Sequence, residues 1–294
     1  MKHELYPFAG KFFSTRGGLK LHYLDEGLPG GRGEVVVMVH GNPTWSFYYR
    51  QLVLALRGSH RVIAPDHIGM GLSDKPGDDR YPYVLQSRIE DLEALLAAVA
   101  PGARVTLVLH DWGGMIGMGW AARNAGLVSR IVLLNTAAFH LPASMRVPLA
   151  LRAVRETPMG TLMVRGFNAF ARSAALVGCK RKRLSAELRD AYCEPYDSWA
   201  NRIGTLRFVQ DIPLKPSDAS YALVSSIEAG LESFAGVPVL VCWGDRDFVF
   251  TPEVLQEWVR RWPQARVHRF ADCGHYVLED AFDELSGLVS EFLA

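Results

Sequence analysis

The sequence predicts an α/β fold, a mostly parallel sheet covered by helices on both faces and interrupted by an inserted helical cap. Three observations predict it. Short runs rich in Val, Ile and Leu recur along the 294 residues, and longer amphipathic stretches separate them. Most of these runs are continuously apolar rather than alternating, as in strands buried on both faces. One interval, residues 139–234, loses the strand rhythm and keeps only helical patterns.

Residues 19–25 (LKLHYLD) alternate, which suits an antiparallel edge strand. Residues 34–40 (EVVVMVH) form the first fully apolar run. The pattern returns at 61–65 (RVIAP), 104–110 (RVTLVLH), 130–134 (RIVLL) and 238–243 (PVLVCW), and 265–270 (ARVHRF) reads as the last strand. Residues 84–100, 112–124 and 252–262 have helical periodicity between them. Strands alternating with helices imply parallel pairing. Inside the interval, 159–176, 185–192 and 198–209 read as helices, punctuated by Pro142, Pro148, Pro158, Pro195, Pro213 and Pro216. The expected organisation is a core of residues 1–138 and 235–294, with a cap of residues 139–234 inserted after the sixth strand.

Composition narrows the function. The chain is 49% hydrophobic and 21% charged, ordinary for a globular protein. A net charge of +1 gives no global field to draw nucleic acid or an anionic membrane. The one dense basic run, Lys180, Arg181, Lys182 and Arg183, reads as a solvated helix face, with a docking patch for a partner or lipid surface as the lesser alternative. No apolar stretch approaches the roughly 18 residues that span a bilayer. Residues 1–10 lack the apolar centre of a secretion signal. Cys179, Cys193, Cys242 and Cys273 are widely spaced, which suits unpaired thiols in a reducing cytoplasm better than a disulfide frame or a zinc site. The sequence has no G-x-G-x-x-G, P-loop or H-E-x-x-H motif, so neither a cofactor nor a metal is expected.

The sharpest chemical signal is LVLHDWGG at 107–114. A buried strand runs into His110-Asp111-Trp112-Gly113-Gly114 and a helix follows. This matches the nucleophile elbow of the α/β-hydrolase fold, a tight turn that presents one side chain above the sheet. Here that side chain is Asp111, where Ser is more familiar. Asp is also a good helix N-cap, but the neighbouring signals favour the elbow. His40-Gly41-Asn42-Pro43 follows the third strand, where this fold draws an oxyanion-hole amide. The expected donors are the backbone amides of Asn42 and Trp112, with the Asn42 carboxamide and the Trp112 indole as further donors into a cavity. Trp112 could instead be an ordinary core aromatic.

Asp272-Cys273-Gly274-His275 follows the last strand. One of nine histidines is weak evidence alone, but Asp111, Asp247 and His275 stand in the fold's order of nucleophile, acid and base. The acid lies in WGDRD at 243–247. Asp247 is preferred because it sits further past the strand; its rival, Asp245, could simply pair with Arg246. Asn135, where an acid could also sit, is an amide. A carboxylate is ionised at neutral pH and suits attack on a saturated carbon carrying a leaving group. His275, oriented by Asp247, could then direct water at the resulting ester. A ligand-binding receptor on a degenerate version of the fold is a different class of reading, and the intact Asp-His-Asp set weighs against it.

These motifs resemble the haloalkane dehalogenase family and its relatives over nearly the whole chain: HGNPTWSFYYR (40–50), APDHIGMGLSDKP (64–76), VLHDWGGMIG (108–117) and DCGHYVLED (272–280). The resemblance implies an eight-stranded sheet, Asp111 as nucleophile, Asp247 as acid, and Asn42 and Trp112 as binders of the departing group. HDWGGMIGMGWA, LLNTAAF (133–139), EPYDSWANRI (194–203) and LRFVQDIPL (206–214) look closer to one offshoot, the β-lactone decarboxylases of bacterial long-chain olefin biosynthesis. That likeness implies conversion of a cis-dialkyl β-lactone to a cis-alkene and carbon dioxide, with haloalkane hydrolysis as the alternative. It also implies an apolar small-molecule substrate and association with the pathway's β-lactone synthetase and dehydrogenase. Long alkyl chains need an apolar channel, for which Met159, Leu162, Met163, Phe167, Phe170, Trp199, Leu206 and Phe208 are candidate liners. Tyr192 and Tyr196 resemble the paired cap tyrosines of epoxide hydrolases, but that family usually has an aromatic where Asn42 stands.

Overall fold

The computed structural model describes residues 4–28, 34–142, 145 and 147–294. The expectation for residues 1–3, and the part of the cap at 143, 144 and 146, lie outside them. The fold is the expected one: an eight-stranded sheet in the order β1-β2-β4-β3-β5-β6-β7-β8. Its strands are β1 Lys11–Ser14, β2 Lys20–Glu26, β3 Glu34–Val39, β4 Arg61–Pro65, β5 Arg104–Asp111, β6 Val128–Thr136, β7 Val239–Gly244 and β8 Arg266–Phe270. Only β2 runs against the others. It was expected at the edge, but β1 pairs outside it; KFFS is too short to announce a strand.

Side chains alternate across the buried strands. Val35, Val37 and Val39 of β3 join one apolar layer, while Val36 and Met38 join the other. Helices α1 (Arg50–Leu56), α2 (Leu85–Val99) and α3 (Gly113–Arg123) follow β3, β4 and β5. The segment after β6 holds α4 (Leu149–Glu156), α5 (Pro158–Thr161), a π-helical turn (Leu162–Gly166), α6 (Ala169–Val177), α7 (Ala186–Cys193), α8 (Ile203–Gln210) and α9 (Tyr221–Gly230). The last of these packs on α3, where a Cβ at Gly119 would meet Ile227. Helices α10 (Pro252–Arg261), α11 (Val277–Asp280) and α12 (Phe282–Leu293) close the chain.

Three local expectations are corrected. Residues 159–176 do not form one helix, because Asn168 is left-handed at φ 54° and turns the chain between the π-helical turn and α6. Residues 180–183 form a loop rather than a helix face, and Arg181 pairs with Asp272 and Glu284. Asp245 pairs with Arg269 on β8, not with Arg246. The four cysteines are free thiols.

The join between β5 and α3 positions the site. A Cβ at Gly113 would run into the carbonyl oxygen of Val39, and one at Gly114 into Thr136 and the Ala137 carbonyl. Neither backbone can retreat without breaking the sheet. Gly113→Ala is therefore expected to lower stability by about 1–3 kcal/mol, the usual cost of overpacking, read as a fall in denaturant midpoint at unchanged slope.

Candidate active site

The C-terminal ends of β3, β5, β7 and β8 carry the chemistry-bearing loops to one edge of the sheet, where parallel α/β sheets bind ligands. Asp111 closes β5 at φ 53°, a left-handed conformation that Asp tolerates better than most residues. The turn lifts its carboxyl out of the sheet. The hydroxyl of Thr136 donates to the Asp111 carbonyl oxygen and fixes the turn. In turn the Trp258 indole donates to Thr136 O at 2.7 Å.

The two oxygens of Asp111 face different groups. Oδ1 accepts the Asn42 backbone N–H at 2.6 Å, and the Trp112 amide also serves the carboxyl. Oδ2 lies 3.8 Å from His275 Nε2. On the other side of that ring, Nδ1 is 2.8 Å from Asp247 Oδ2. Asp247 is held in place by the Val249 N–H, which donates to Oδ1 at 2.7 Å. All three side chains are buried. The three residues expected to work together do come together, and so do both backbone amides.

The carboxamide of Asn42 differs from expectation. It remains on the cavity wall, but its Nδ2 donates to the Thr205 carbonyl of α8 at 3.0 Å, so it also latches core to cap. The Trp112 indole lines the cavity, and its ring packs 5.3 Å from Phe208. Behind them Arg88 of α2 lies 3.8 Å over the Phe208 ring and pairs with Asp211 at 3.2 Å, a second tie between core and cap.

Asn135 plays a structural part. Its Nδ2 donates to Gly244 O at 3.0 Å and its Oδ1 accepts the Gly244 N–H at 2.8 Å, clamping the ends of β6 and β7. Tyr192 bonds Glu279, and Tyr196 reaches the Thr44 carbonyl, so neither points into the cavity as an epoxide-activating pair would.

Above Asp111 lies a cavity of about 540 Å³ between core and cap. Asn42, Asp111, Trp112 and His275 are its polar floor, and its walls are mainly apolar. Of the eight expected liners, Met159, Met163 and Phe170 line it. Leu162, Phe167 and Trp199 are exposed, and Leu206 and Phe208 belong to the buried packing. Other wall residues include Leu141, Met145, Leu151 and Val154, with Phe248 and Phe250.

Two neighbours of these three residues carried no expectation. Gly41 passes so close to Asp111 that a Cβ there would strike its carboxyl. His110 stacks on Tyr48 at 4.3 Å and reaches the His275 carbonyl from Nε2 at 2.9 Å. Its position beside the elbow was the only sequence signal for it.

Burial is the largest influence on Asp111 and raises its pKa; the charge of His275 and the two amides oppose it without cancelling it. Burial disfavours the His275 imidazolium, but Asp247, and then Asp111, outweigh it and hold its pKa above the ordinary value. A carboxylate with a raised pKa is neutralised by protonation at a higher pH than a free aspartate. The acid limb of a kcat/KM profile is accordingly expected above the ordinary carboxylate range; a limb at or below pH 3.8 would remove Asp111 as the titrating group. Among the described residues, no cluster of His, Cys, Asp or Glu is arranged to hold a metal, and no helix is long and apolar enough to cross a membrane.

The comparisons agree with this geometry. A family model described as the alpha/beta hydrolase fold matches residues 34–282. The chain is 57% identical over 293 residues to a cis-3-alkyl-4-alkyloxetan-2-one decarboxylase of Shewanella oneidensis, covering 100% of this chain and 91% of that one. It is 46% identical to a protein of the same name from Xanthomonas campestris, covering 100% and 98%. A haloalkane dehalogenase of Mycolicibacterium smegmatis is 30% identical over 98% of this chain and 92% of its own. The crystal structure of haloalkane dehalogenase DatA from Agrobacterium tumefaciens superposes with a TM-score of 0.83 at 23% identity, covering 97% and 96%. The chain belongs to the α/β-hydrolase fold family and, within it, to the family of the cis-3-alkyl-4-alkyloxetan-2-one decarboxylases.

Proposed function

We propose that this protein is a β-lactone decarboxylase, converting a cis-3,4-dialkyl-oxetan-2-one to a cis-alkene and carbon dioxide with Asp111 as nucleophile. The observation that carries the reading is a buried carboxylate, held ready by backbone amides, at the floor of an apolar cavity of about 540 Å³. Full-length likeness to decarboxylases of that name supports the substrate class.

In this scheme Asp111 Oδ2 attacks the ring carbon bearing oxygen. The ring C–O bond breaks, its electrons go to the released carboxylate, and an alkyl-aspartyl ester forms. The C–CO₂ bond then breaks to give carbon dioxide, its electrons form the C=C bond, and the aspartate leaves with the electrons of the ester C–O bond. No proton, water or redox partner is consumed. Inversion followed by anti elimination amounts to a net syn loss, so a cis lactone gives a cis alkene. Attack at the lactone carbonyl, giving a mixed anhydride, is less well supported. It would draw on the Asn42 amide, which is already engaged with Asp111 Oδ1.

The roles assigned are Asp111 as nucleophile, His275 with Asp247 as the charged partner of Asp111, and Trp112, with the Asn42 Nδ2 proton not bonded to Thr205, as donors to the departing carboxylate. An indole N–H in a mainly apolar cavity suits a developing anion. Assembly with a β-lactone synthetase and a dehydrogenase, and a cytoplasmic location, belong to the same reading.

Haloalkane hydrolysis is the second reading, favoured by His275 Nε2 standing 3.8 Å from Asp111, within reach of a water directed at an ester there. A paired assay decides. A cis-dialkyl β-lactone is followed by alkene and carbon dioxide, and 1-bromo- and 1-chloroalkanes by halide release. Fast alkene with little halide is expected; halide release with an inert lactone would replace the decarboxylase by the dehalogenase.

A further inference from the structure

The first half of the cap has a surface unlike the rest of the chain. Residues 149–190 carry nine Lys and Arg against three Asp and Glu, although the whole chain is only +1; two of the nine, Arg155 and Arg181, pair with Asp218, Asp272 and Glu284 from outside the segment. The balance of the molecule is therefore acidic. The same segment exposes large apolar side chains: Leu149 is 80% exposed, Met159 63% and Phe167 61%, with Leu162 and Met163 also exposed. Single exposed apolar residues are ordinary. These instead follow one another along α4, α5 and the π-helical turn, which pack in sequence and lead into α6. Trp199, itself half exposed, lies with Leu162 against Gly166.

This surface is continuous with the cavity. Met159 and Met163 are both exposed and part of the cavity wall. Phe248 is another such residue, and the Lys180 ammonium lies 6.0 Å from its ring. Arg152 is exposed on α4, whose other residues line the cavity. The lip is thus apolar, with Lys180 beside it and Arg152 exposed on a helix of its wall.

We propose that this face of the cap docks on an anionic lipid bilayer, with the cavity opening against the membrane. Apolar side chains beside Lys and Arg are the composition that binds the headgroup boundary. Charge selects this occupant over a second copy of the chain, because two such faces would oppose cation to cation. An opening placed there lets an apolar ligand pass between cavity and acyl chains without exposing each methylene to water. Docking goes beyond the lactone reading and does not depend on it, since vesicle binding is measured without turnover.

The test is sedimentation of the full chain with vesicles of phosphatidylcholine alone, or with phosphatidylglycerol added. Retention on the anionic vesicles, weak retention on neutral ones and release by salt are expected. The double variant Leu149→Glu, Phe167→Glu, neither of which lines the cavity, should weaken partition roughly tenfold or more. Arg152→Glu with Lys182→Glu should act in the same direction. Phe12→Glu, on β1 and 58% exposed, should change nothing. Melting curves check that each variant is folded. Lack of retention by the wild type overturns the proposal, and so does retention that the cap variants leave intact. Self-association or binding to an acidic protein that the cap variants abolish, without vesicle binding, overturns it in favour of that partner.

Discussion

Asp111→Asn should lose lactone turnover by about 10⁴-fold or more while the protein stays folded. No neighbour of Asp111 could take over as nucleophile: among the groups on the cavity floor, Asn42 and Trp112 are donors and His275 is held by Asp247. Asn keeps the side chain's shape and tolerates φ 53°, whereas Asp111→Ala adds about 1–2 kcal/mol of left-handed strain and serves as the harsher control. Stability should move the opposite way to activity. The pKa of Asp111 is raised in the fold, so ionising it costs the native state free energy. That cost is absent below the unfolded pKa, where the carboxyl is protonated in both states, and is fully present above the folded one. Asp111→Asn should therefore raise the melting temperature at neutral pH, and the gain should shrink as the pH falls towards the ordinary aspartate range. Near-wild-type turnover in either variant would end the claim that Asp111 is the nucleophile.

The sheet was legible because its period is strong. Runs such as EVVVMVH are buried on both faces and cannot be helix surface or loop, so β3 to β8 fall within a residue or two of the expected runs. What escaped was short or locally ambiguous. The four residues of β1 have no apolar pattern of their own and pair only because β2 offers an open edge. α4 was missed because flanking prolines made its stretch read as irregular, yet Pro148 is its N-cap and Pro158 lies beyond its end.

The site was legible for a different reason. Asp111, Asp247 and His275 each sit at a strand end, where topology alone brings them to one edge. Partners set by packing across the core–cap junction left no mark in the sequence. The Thr205 carbonyl that accepts from Asn42 is backbone, invisible to residue type. Leu206 and Phe208 were expected to line the channel because they are apolar and lie in the cap, but α8 turns them into the buried packing, and Phe208 supports Trp112 instead.

His275→Phe separates the two chemistries by what accumulates on Asp111. Hydrolysis of an alkyl-aspartyl ester needs a base for water, and a general base is worth about 10²–10⁴-fold. With a haloalkane that the site accepts, the variant should release one equivalent of halide and stop, leaving an added alkyl mass on the peptide bearing Asp111. The ester formed from a β-lactone carries its own exit, because loss of carbon dioxide expels the aspartate with no water. The same variant should hold no adduct from the lactone and should continue to make alkene at a reduced rate. Part of that reduction has a physical cause apart from chemistry. Removing the imidazole leaves Asp247 a buried carboxylate with only the Val249 amide, and a stranded buried charge costs roughly 3–5 kcal/mol. The double variant His275→Phe, Asp247→Asn removes that charge and should recover melting temperature without recovering haloalkane hydrolysis. A stable lactone-derived adduct in either variant would show that water, not decarboxylation, resolves the ester, and the decarboxylase scheme would fall with it.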